Sequence, residues 1–273
     1  MHYSNFYRNF VKIFWILVLS SFTHLSFAVD SDGDGLQDYS LAAGPDHTCM
    51  IDHEGVKCWG QNTDIPVNLL NPTAIAAGGD GGGADTCVID DHGLKCWGYN
   101  DWGQSDVPAD LLNVAEVTVG GRYTCAIDDN GLDCWGSNLF GETDIPIDLV
   151  NPVLVDAGSY TPCVIDDAGV HCWGYNNHEQ ADVPSGLTNP SLVATGESHT
   201  CALDDNGVQC WGRNYQGWID VPADLLNPVA LVAGDFHTCV IDDNGVQCWG
   251  QNREGQTQVP TGLVNPRAIA AGD

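Results

Sequence analysis

The chain has 273 residues, among them 32 glycines, 13 prolines and 12 cysteines. Its 8 basic residues stand against 37 acidic ones, which gives a formal net charge of −29. A chain this acidic repels polyanions, so it is predicted to bind no nucleic acid and not to dock on anionic lipid. Twelve cysteines are too many for a reduced cytosolic protein and indicate an oxidising compartment.

Residues 1–28 have the organisation of a secretory signal peptide. Arg8 and Lys12 precede an apolar run over residues 13–19, and Ala28 ends a cleavage motif of small residues. The alternative, an uncleaved membrane anchor, needs about 20 apolar residues. We therefore predict cleavage after Ala28, a secreted or periplasmic protein, and no stable membrane anchor after cleavage.

Residues 29–40 form an acidic linker that resembles the start of a calcium loop. Carboxylates at loop positions one, three, five and nine and a carbonyl at position seven can converge on one hard cation. The predicted calcium ligands are Asp30, Asp32, Asp34, Leu36 and Asp38. Position twelve is Leu41 rather than a bidentate glutamate, so the predicted binding is weak. A flexible acidic linker without a cation is the alternative.

Residues 41–273 consist of one repeated unit. The motif Cys-Trp-Gly recurs every 38 residues, and a second cysteine precedes each copy by nine. A fixed period of this size indicates a solenoid or a propeller. The paired cysteines are Cys49 and Cys58, Cys87 and Cys96, Cys125 and Cys134, Cys163 and Cys172, Cys201 and Cys210, and Cys239 and Cys248.

Each repeat encodes a β-hairpin. In the last complete unit, a turn over residues 242–245 pairs Ile241 with Val246 and places Cys239 opposite Cys248. The same register in every repeat predicts six disulfides, each within its own hairpin. Zinc is the competing ligand of paired cysteines, but the nine-residue spacing differs from the C-x₂₋₄-C of a zinc knuckle.

A short apolar strand ending in glycine precedes each hairpin, and a seventh such strand covers residues 269–272. Each unit thus supplies about three short strands, and no window has a helical period, which predicts an all-β domain. The first repeat has two compensating length changes. It lacks four residues between Trp59 and Pro66 and gains four at residues 79–83, and we assign both changes to surface loops.

The repeat resembles that of the regulator of chromosome condensation family. The resemblance rests on Ala-Gly-x-x-His-Thr-Cys at residues 233–239 and Trp-Gly-x-Asn-x-x-Gly-Gln at residues 249–256, and it recurs over residues 41–273. It implies a β-propeller of six or seven short blades, with one disulfide-linked hairpin per 38-residue repeat. The short period and the signal peptide are most similar to compact secreted bacterial members, which include β-lactamase inhibitors. The histidine position departs from the pattern at Asp85, Tyr123 and Thr161.

Most repeated polar and aromatic residues have structural explanations. The tryptophans of Cys-Trp-Gly are expected to pack between blades, and His47, His199 and His237 to form a repeated hydrogen bond. The paired turn acids, such as Asp242 and Asp243, should ring one rim of the propeller. Side chains that vary in the loops after Trp-Gly are the predicted partner-binding residues: Trp102, Phe140, His178, Tyr215, Trp218 and Glu254. Of these, Trp102 and Trp218 are expected to be exposed.

Three functions are compatible with this pattern. The first is a secreted protein-binding propeller, an inhibitor or regulator of an extracytoplasmic protein, and it is the one we favour. The second is a carbohydrate-binding or glycan-acting propeller that uses exposed tryptophans and rim acids. The third, nucleotide exchange on a small GTPase, requires a partner inside the cell, which a secretion signal makes inaccessible. No nucleophile elbow, phosphate loop or HExxH motif is present, so we predict no catalytic residues and no enzymatic activity. We also predict that the protein is a monomer with a protein partner.

Overall fold

The computed structural model describes residues 40–61, 63–80 and 83–272, and these residues form an all-β propeller. Eighteen strands make six separate three-stranded antiparallel sheets, one per repeat. Each sheet is a blade whose strands follow chain order from the axis outwards. No α-helix occurs in the described part, as the absence of a helical period predicted.

Each blade has an innermost, a middle and an outer strand. The innermost strands are β1 (Ser40–Ala43), β4 (Ala74–Asp80), β7 (Glu116–Val119), β10 (Leu154–Ala157), β13 (Leu192–Thr195) and β16 (Ala230–Ala233). The middle strands are β2 (His47–Asp52), β5 (Gly83–Asp90), β8 (Tyr123–Asp128), β11 (Pro162–Asp166), β14 (His199–Asp204) and β17 (His237–Asp242). The outer strands are β3 (Gly55–Gly60), β6 (Gly93–Gly98), β9 (Gly131–Gly136), β12 (Gly169–Cys172), β15 (Gly207–Gly212) and β18 (Gly245–Gly250).

The predicted hairpin register is confirmed in all six blades. In β17 and β18, Ile241 is opposite Val246 and Cys239 is opposite Cys248. All six predicted disulfides are present, with Cα–Cα distances of 4.0 to 4.1 Å, and no cysteine of the chain is free. The ladder continues one pair further than the predicted turn, to Asp242 and Gly245, and Gly245 has the positive φ of 113° that lets the chain reverse.

The hydrophobic core lies between successive blades rather than inside any one of them. Between blades one and two, Ala42, Cys49 and Ile51 pack against Ile75, Ala77 and Val88. Equivalent clusters join blades two to three, three to four, four to five and five to six. A three-stranded sheet cannot bury both faces by itself, so each blade depends on its two neighbours for stability.

A seventh segment occupies the gap between blades six and one. Ile269 and Ala271 pack against Val232, Cys239 and Ile241 of blade six, while Ala270 packs against Leu41 and Ala43 of blade one. These residues were expected to form a strand, but no described residue pairs with them in a sheet. The described chain thus has six complete blades, and its seventh position is occupied by one buried segment.

The two length changes of the first repeat have different structural outcomes. The four-residue loss leaves a shorter loop after β3, as expected. The four-residue gain extends a hairpin instead of forming only a loop, because Gly79 pairs with Ala84 and Asp80 with Gly83. The assignment of the gain to a surface loop was therefore wrong for these residues.

Candidate functional site

Similar loops follow the outer strands of blades two to six, and together they form one rim of the propeller. In the loop after blade two, the Asn100 Nδ2 donates to the Asp106 Oδ1 (2.8 Å), and the Ser105 N–H donates to the Asn100 Oδ1 (3.0 Å). The loops after blades three, four and five contain the same asparagine–aspartate bond. The loops are thus closed by their own side chains.

A buried side chain ties each loop to the propeller. The Gln104 Oε1 accepts a hydrogen bond from the Trp102 backbone N–H (3.1 Å), while the Gln104 carbonyl accepts one from the Trp135 Nε1 of the next blade (2.9 Å). Glu142 and Gln180 make the same pair of bonds. The repeat tryptophans therefore anchor loops as well as pack. The residue two positions before each buried side chain is held at the surface with a fixed backbone.

These positions display most of the predicted partner-binding residues. Trp102 is 40% exposed and Phe140 is 47% exposed. His178 is half-buried, and Glu254 is exposed on the loop after blade six. In the loop after blade five the equivalent residue is Gln216, and the predicted Tyr215 lies beside it, also exposed.

The prediction that Trp218 is exposed was wrong. Its side chain is only 2% exposed because it occupies the buried position that Gln104 and Gln180 hold in other loops. The indole cannot accept a backbone hydrogen bond as the glutamine amides do. It packs instead against the rings of Phe236 (5.2 Å between centroids) and His199 (5.9 Å). Trp218 therefore supports the loop from inside the propeller and is too buried to contact a partner.

The structure brings Phe140 and His178 into one aromatic cluster across blades three and four. The Phe140 ring lies 5.3 Å from that of Tyr160 and 5.0 Å from that of Tyr175, both in edge-to-face geometry. His178 contacts the other side of Tyr175, with the ring centroids 6.4 Å apart. We call Phe140, Tyr160, Tyr175 and His178 the aromatic cluster. Four rings fixed against one another present a preformed surface.

Two arginines extend the aromatic surface along the rim. The Arg122 guanidinium lies 5.2 Å from the centre of a Trp102 ring and also donates from Nε to Asp80. The Arg213 guanidinium lies 5.3 Å from the centre of the Tyr215 ring. Both arrangements are cation–π contacts. They place positive charge beside exposed rings in a protein that is otherwise strongly acidic.

Sequence reasoning missed Arg122, Tyr160, Tyr175, Arg213 and Phe236 as rim residues. The sequence does contain a pattern that could have identified three of them. Arg122, Tyr160 and Phe236 occupy one repeat position, immediately before the histidine position. That position lies on the short connection between the innermost and middle strands, which reaches the same rim as the loops after Trp-Gly. Which of these side chains touch could be read only from the folded ring.

The repeated histidines have the predicted structural role in two of three blades. The Nε2 atoms of His47 and His199 lie within hydrogen-bond distance of the Oγ1 of Thr86 (2.8 Å) and Thr238 (2.9 Å), each on the next blade. Burial lowers the pKa of His199 to about 3 and that of His237 to about 4, so both rings are neutral near pH 7. Each ring also packs on a glycine, and a Cβ on Gly196 would collide with the His199 ring.

The turn acids lie on the opposite rim, as predicted, and they hold the links between blades. The Asp90 Oδ2 accepts from the Leu70 N–H (2.8 Å), and the Asp91 Oδ2 accepts from the Asn71 Nδ2 (2.6 Å). Blades three to six repeat both bonds. Burial opposes ionisation of Asp90, but hydrogen bonds from Lys95 and two backbone amides outweigh it and lower its pKa to about 2. The turn acids therefore have a structural role, because they fix the links between blades.

Asp30, Asp32, Asp34, Leu36 and Asp38, the predicted calcium ligands, lie outside the described residues, as does the signal peptide. Within the described ranges, no group of three or more histidines, cysteines, aspartates or glutamates is arranged to hold a metal ion. The same ranges contain no helix long and apolar enough to cross a bilayer. Six disulfides, one per blade, are typical of proteins that mature in an oxidising environment.

The fold and its repeated rim define a β-propeller with a displayed loop surface. Residues 191–217 and 229–256 match the family model of the regulator of chromosome condensation (RCC1) repeat. These two segments contain the fifth and sixth of the six repeats. A search of curated proteins found no match.

Solved structures share the fold of this chain. The ectodomain of the receptor kinase CR4 from Physcomitrella patens is 25% identical, with a TM-score of 0.65 over 81% of this chain. This chain spans 66% of that ectodomain, slightly less than two thirds. The ectodomain of the Arabidopsis thaliana receptor kinase ACR4 is 24% identical, with a TM-score of 0.61 over 81% of this chain and 87% of its own. Prp20p from Saccharomyces cerevisiae shares the fold at 14% identity, with a TM-score of 0.66 over 88% of this chain and 76% of its own.

Proposed function

We propose that this protein is a secreted protein-binding scaffold that inhibits or regulates an extracytoplasmic protein through its loop rim. The observation that carries the proposal is the aromatic cluster, in which Phe140 is 47% exposed while its ring is held by Tyr160 and Tyr175. Aromatic and arginine side chains dominate the binding energy of protein interfaces. A fixed ring loses little entropy when a partner binds.

The architecture of the rim also favours binding over catalysis. Four loops keep the same hydrogen bond from the displayed residue's backbone N–H to a buried side chain, while the displayed residue changes from tryptophan to phenylalanine, histidine and glutamate. A constant backbone with variable side chains is suited to recognition of one particular surface. Among the similar propellers, the study of Prp20p concerns its binding to Gsp1p and histones. The two similar receptor-kinase structures are ectodomains, which supports a location outside the cytoplasm for this propeller.

A carbohydrate ligand is the second candidate. It is favoured by Trp102, which is 40% exposed next to Asp101 in the chain, and by Arg122, which contacts both the Trp102 ring and Asp80. An exposed ring next to carboxylates can stack on a sugar and accept its hydroxyl hydrogen bonds. Saturable binding on a glycan array that is lost in Trp102→Ala, without a protein partner, would favour this function over the first.

The test is affinity capture with matched variants. Tagged mature protein, residues 29–273, is incubated with envelope and medium extract of the source organism. Phe140→Ala removes the exposed ring of the aromatic cluster, and Ile147→Ala changes a fully exposed side chain on the link between blades three and four. We expect one stoichiometric protein to be retained by the parent and by Ile147→Ala, and at least about tenfold less by Phe140→Ala.

Two outcomes would contradict the proposal. If Phe140→Ala and Ile147→Ala retain the partner equally well, the aromatic cluster is not the binding surface. If no protein is retained by the parent chain, the protein-binding function itself is wrong. Circular dichroism and the thiol count of each variant verify that the propeller and its disulfides are intact.

A further inference from the structure

The loop after blade five, residues 213–220, is built differently from the other loops of the rim. In the loops after blades two, three, four and six, a buried glutamine or glutamate side chain accepts a hydrogen bond from the backbone N–H of the displayed residue. Trp218 occupies that buried position in the blade-five loop, and its indole has no acceptor atom. The Gln216 N–H therefore lacks the side-chain acceptor that its four equivalents have.

Two further features make this loop unfavourable for stability. The Trp218 Nε1 is buried and has no hydrogen-bond partner in the described ranges, and an unpaired buried donor is costly. Gln216 has a φ of 58°, in the left-handed region that residues with a side chain seldom adopt, whereas the displayed residues of the other four loops have negative φ values. Strain of this kind is typical of functional sites rather than of a loop that serves stability alone.

What Trp218 provides instead is support for two exposed side chains. The Arg213 guanidinium lies 5.3 Å from the centre of the Tyr215 ring and 5.5 Å from the centre of a Trp218 ring. The Tyr215 ring, 45% exposed, meets the Trp218 ring in edge-to-face geometry at 5.7 Å. Trp218 is in turn held by Phe236 and His199. Ring contacts thus position Arg213 and Tyr215 at the surface without occupying the N–H donors of the guanidinium.

The Arg213 guanidinium has no carboxylate partner in the part of the chain that the structure describes. Lys95 and Arg122, by contrast, each form an ion pair with an aspartate. Burial and the Asp235 carboxylate raise the pKa of Glu197, and the Arg213 charge opposes that rise, but no ion pair joins Glu197 to Arg213. In a chain with 37 acidic residues, an exposed arginine without an acidic partner is available for a carboxylate from another molecule.

We propose that Arg213 and Tyr215 form a subsite that binds an aspartate or glutamate side chain of the protein partner. The planar guanidinium has paired N–H donors that match the two oxygens of a carboxylate. The Tyr215 ring would pack on the methylene groups next to that carboxylate. The proposal rests on the proposed function of the rim, because it names a chemical group that the partner must present there.

The charge of the protein makes such a subsite selective. With a formal net charge of −29, the protein repels acidic surfaces in general. A carboxylate of a partner is therefore attracted only where the rim displays a positive charge, and Arg122 already contacts Asp80. An arginine held at one point of an acidic protein fixes where the partner's acidic residue must lie, and so it contributes to specificity.

Peptide selection tests the subsite without a known partner. The probe is a phage library of random twelve-residue peptides, selected on the mature protein and counter-selected on Arg213→Gln, which removes the guanidinium. We expect the enriched peptides to share an aspartate or glutamate, and the best of them, made synthetically, to bind one-to-one. Replacement of its acidic residue by the corresponding amide should weaken binding about tenfold, since hydrogen bonds to a charged group are lost.

Matched variants separate the subsite from general effects of charge. Arg213→Gln should weaken binding of the synthetic peptide about tenfold, and Arg213→Lys should recover only part of this loss because an ammonium lacks the planar pair of donors. Arg253→Gln makes the same charge change at an exposed residue of the next loop and should leave the affinity unchanged. The proposal would be overturned by a selection that enriches no peptide or peptides without a shared acidic residue. Equal affinity for the acid and amide forms, or equal losses in Arg213→Gln and Arg253→Gln, would also overturn it.

Affinity capture distinguishes a failure of this subsite from a failure of the proposed function. If Phe140→Ala loses a partner that the parent and Arg213→Gln retain equally well, the binding function stands and the Arg213 subsite is wrong. A capture without any retained protein, together with the expected peptide binding, would contradict the function proposed for the rim and still support the carboxylate subsite.

Discussion

At the scale of single residues, one repeat position accommodates four side chains with four hydrogen-bonding solutions. Histidine reaches a threonine of the next blade, and the Tyr123 hydroxyl donates to the Gly158 carbonyl instead (3.0 Å). The Thr161 hydroxyl donates to the Tyr175 carbonyl (2.8 Å). Asp85 accepts a bond from the Gln104 Nε2 (3.2 Å), but its other carboxylate oxygen has no partner in the part of the chain that the structure describes. Buried polar groups at this position are tolerated because nearly all find local partners.

Asp85 should make stability depend on pH. Burial raises the pKa of Asp85 to about 8 from an ordinary value near 3.8. Between about pH 4 and pH 8 the folded state therefore keeps a proton that the unfolded state loses. The folded protein is most stable below about pH 4, and its stability falls as the pH rises to about 8. We expect Asp85→Asn, which cannot ionise, to gain stability relative to the parent over this range, by on the order of a few kcal/mol.

Urea unfolding of both proteins at pH 5 and pH 8 measures the effect. The comparison removes contributions from Asp156 and Glu116, whose pKa values burial raises to about 7 and about 8, because both residues are unchanged in the variant. A free-energy difference between the proteins that is the same at both pH values would show that Asp85 is ionised in the folded state.

At the scale of elements, the loop after each outer strand provides the carbonyl that receives the next blade's tryptophan. Trp135, Trp173 and Trp211 each donate from Nε1 to such a carbonyl at 2.9 Å. The first repeat is four residues shorter in this loop, and the buried Nε1 of Trp97 in the next blade has no hydrogen-bond partner among the described residues. A deletion visible in the sequence thus explains an unsatisfied atom in the fold.

This difference predicts unequal costs for one substitution at two equivalent sites. Trp135→Phe removes a hydrogen bond and should destabilise the protein by about 1 kcal/mol more than Trp97→Phe, which removes none. The two indoles are otherwise matched, since both are partly buried against the preceding blade. Chemical unfolding of the two variants and the parent measures both losses. Equal losses would mean that the bond to the Gln104 carbonyl contributes nothing to stability.

At the scale of the whole molecule, six hairpins are covalently closed and stacked around one axis. Each blade contacts the next through its innermost strand, so stability is shared around the ring. Part of the formal charge of −29 is carried by turn acids, which accept hydrogen bonds from backbone amides and asparagine side chains. The high acidity is therefore in part a product of the repeat's turn chemistry.

The predicted calcium loop lies between the signal peptide and the propeller in the sequence. We expect isothermal calorimetry of the mature chain to detect one calcium ion with a dissociation constant on the order of millimolar. The double variant Asp32→Ala, Asp34→Ala removes two of the predicted carboxylate ligands and should abolish the heat signal. Identical traces for the two proteins would leave residues 29–40 as an acidic linker.

The repeat, the hairpin register and all six disulfides could be predicted from the order of the amino acids. These are local properties, since a turn of fixed length sets which residues face each other across ten residues of chain. The sequence also identified the loops that display Trp102, Phe140 and His178, because these residues vary within a constant motif.

The contacts between side chains of different blades could not be predicted in this way. Trp218 looked like an extra surface aromatic, but its position in the loop faces inwards, and Phe236 and His199 surround it. Phe140 and Tyr175 are 35 residues apart and touch because two blades stack side by side. His47 and His199 each find a threonine on the next blade, whereas His237 has no hydrogen-bond partner among the described residues. Contacts of this kind follow from the closure of the ring, which no local pattern specifies.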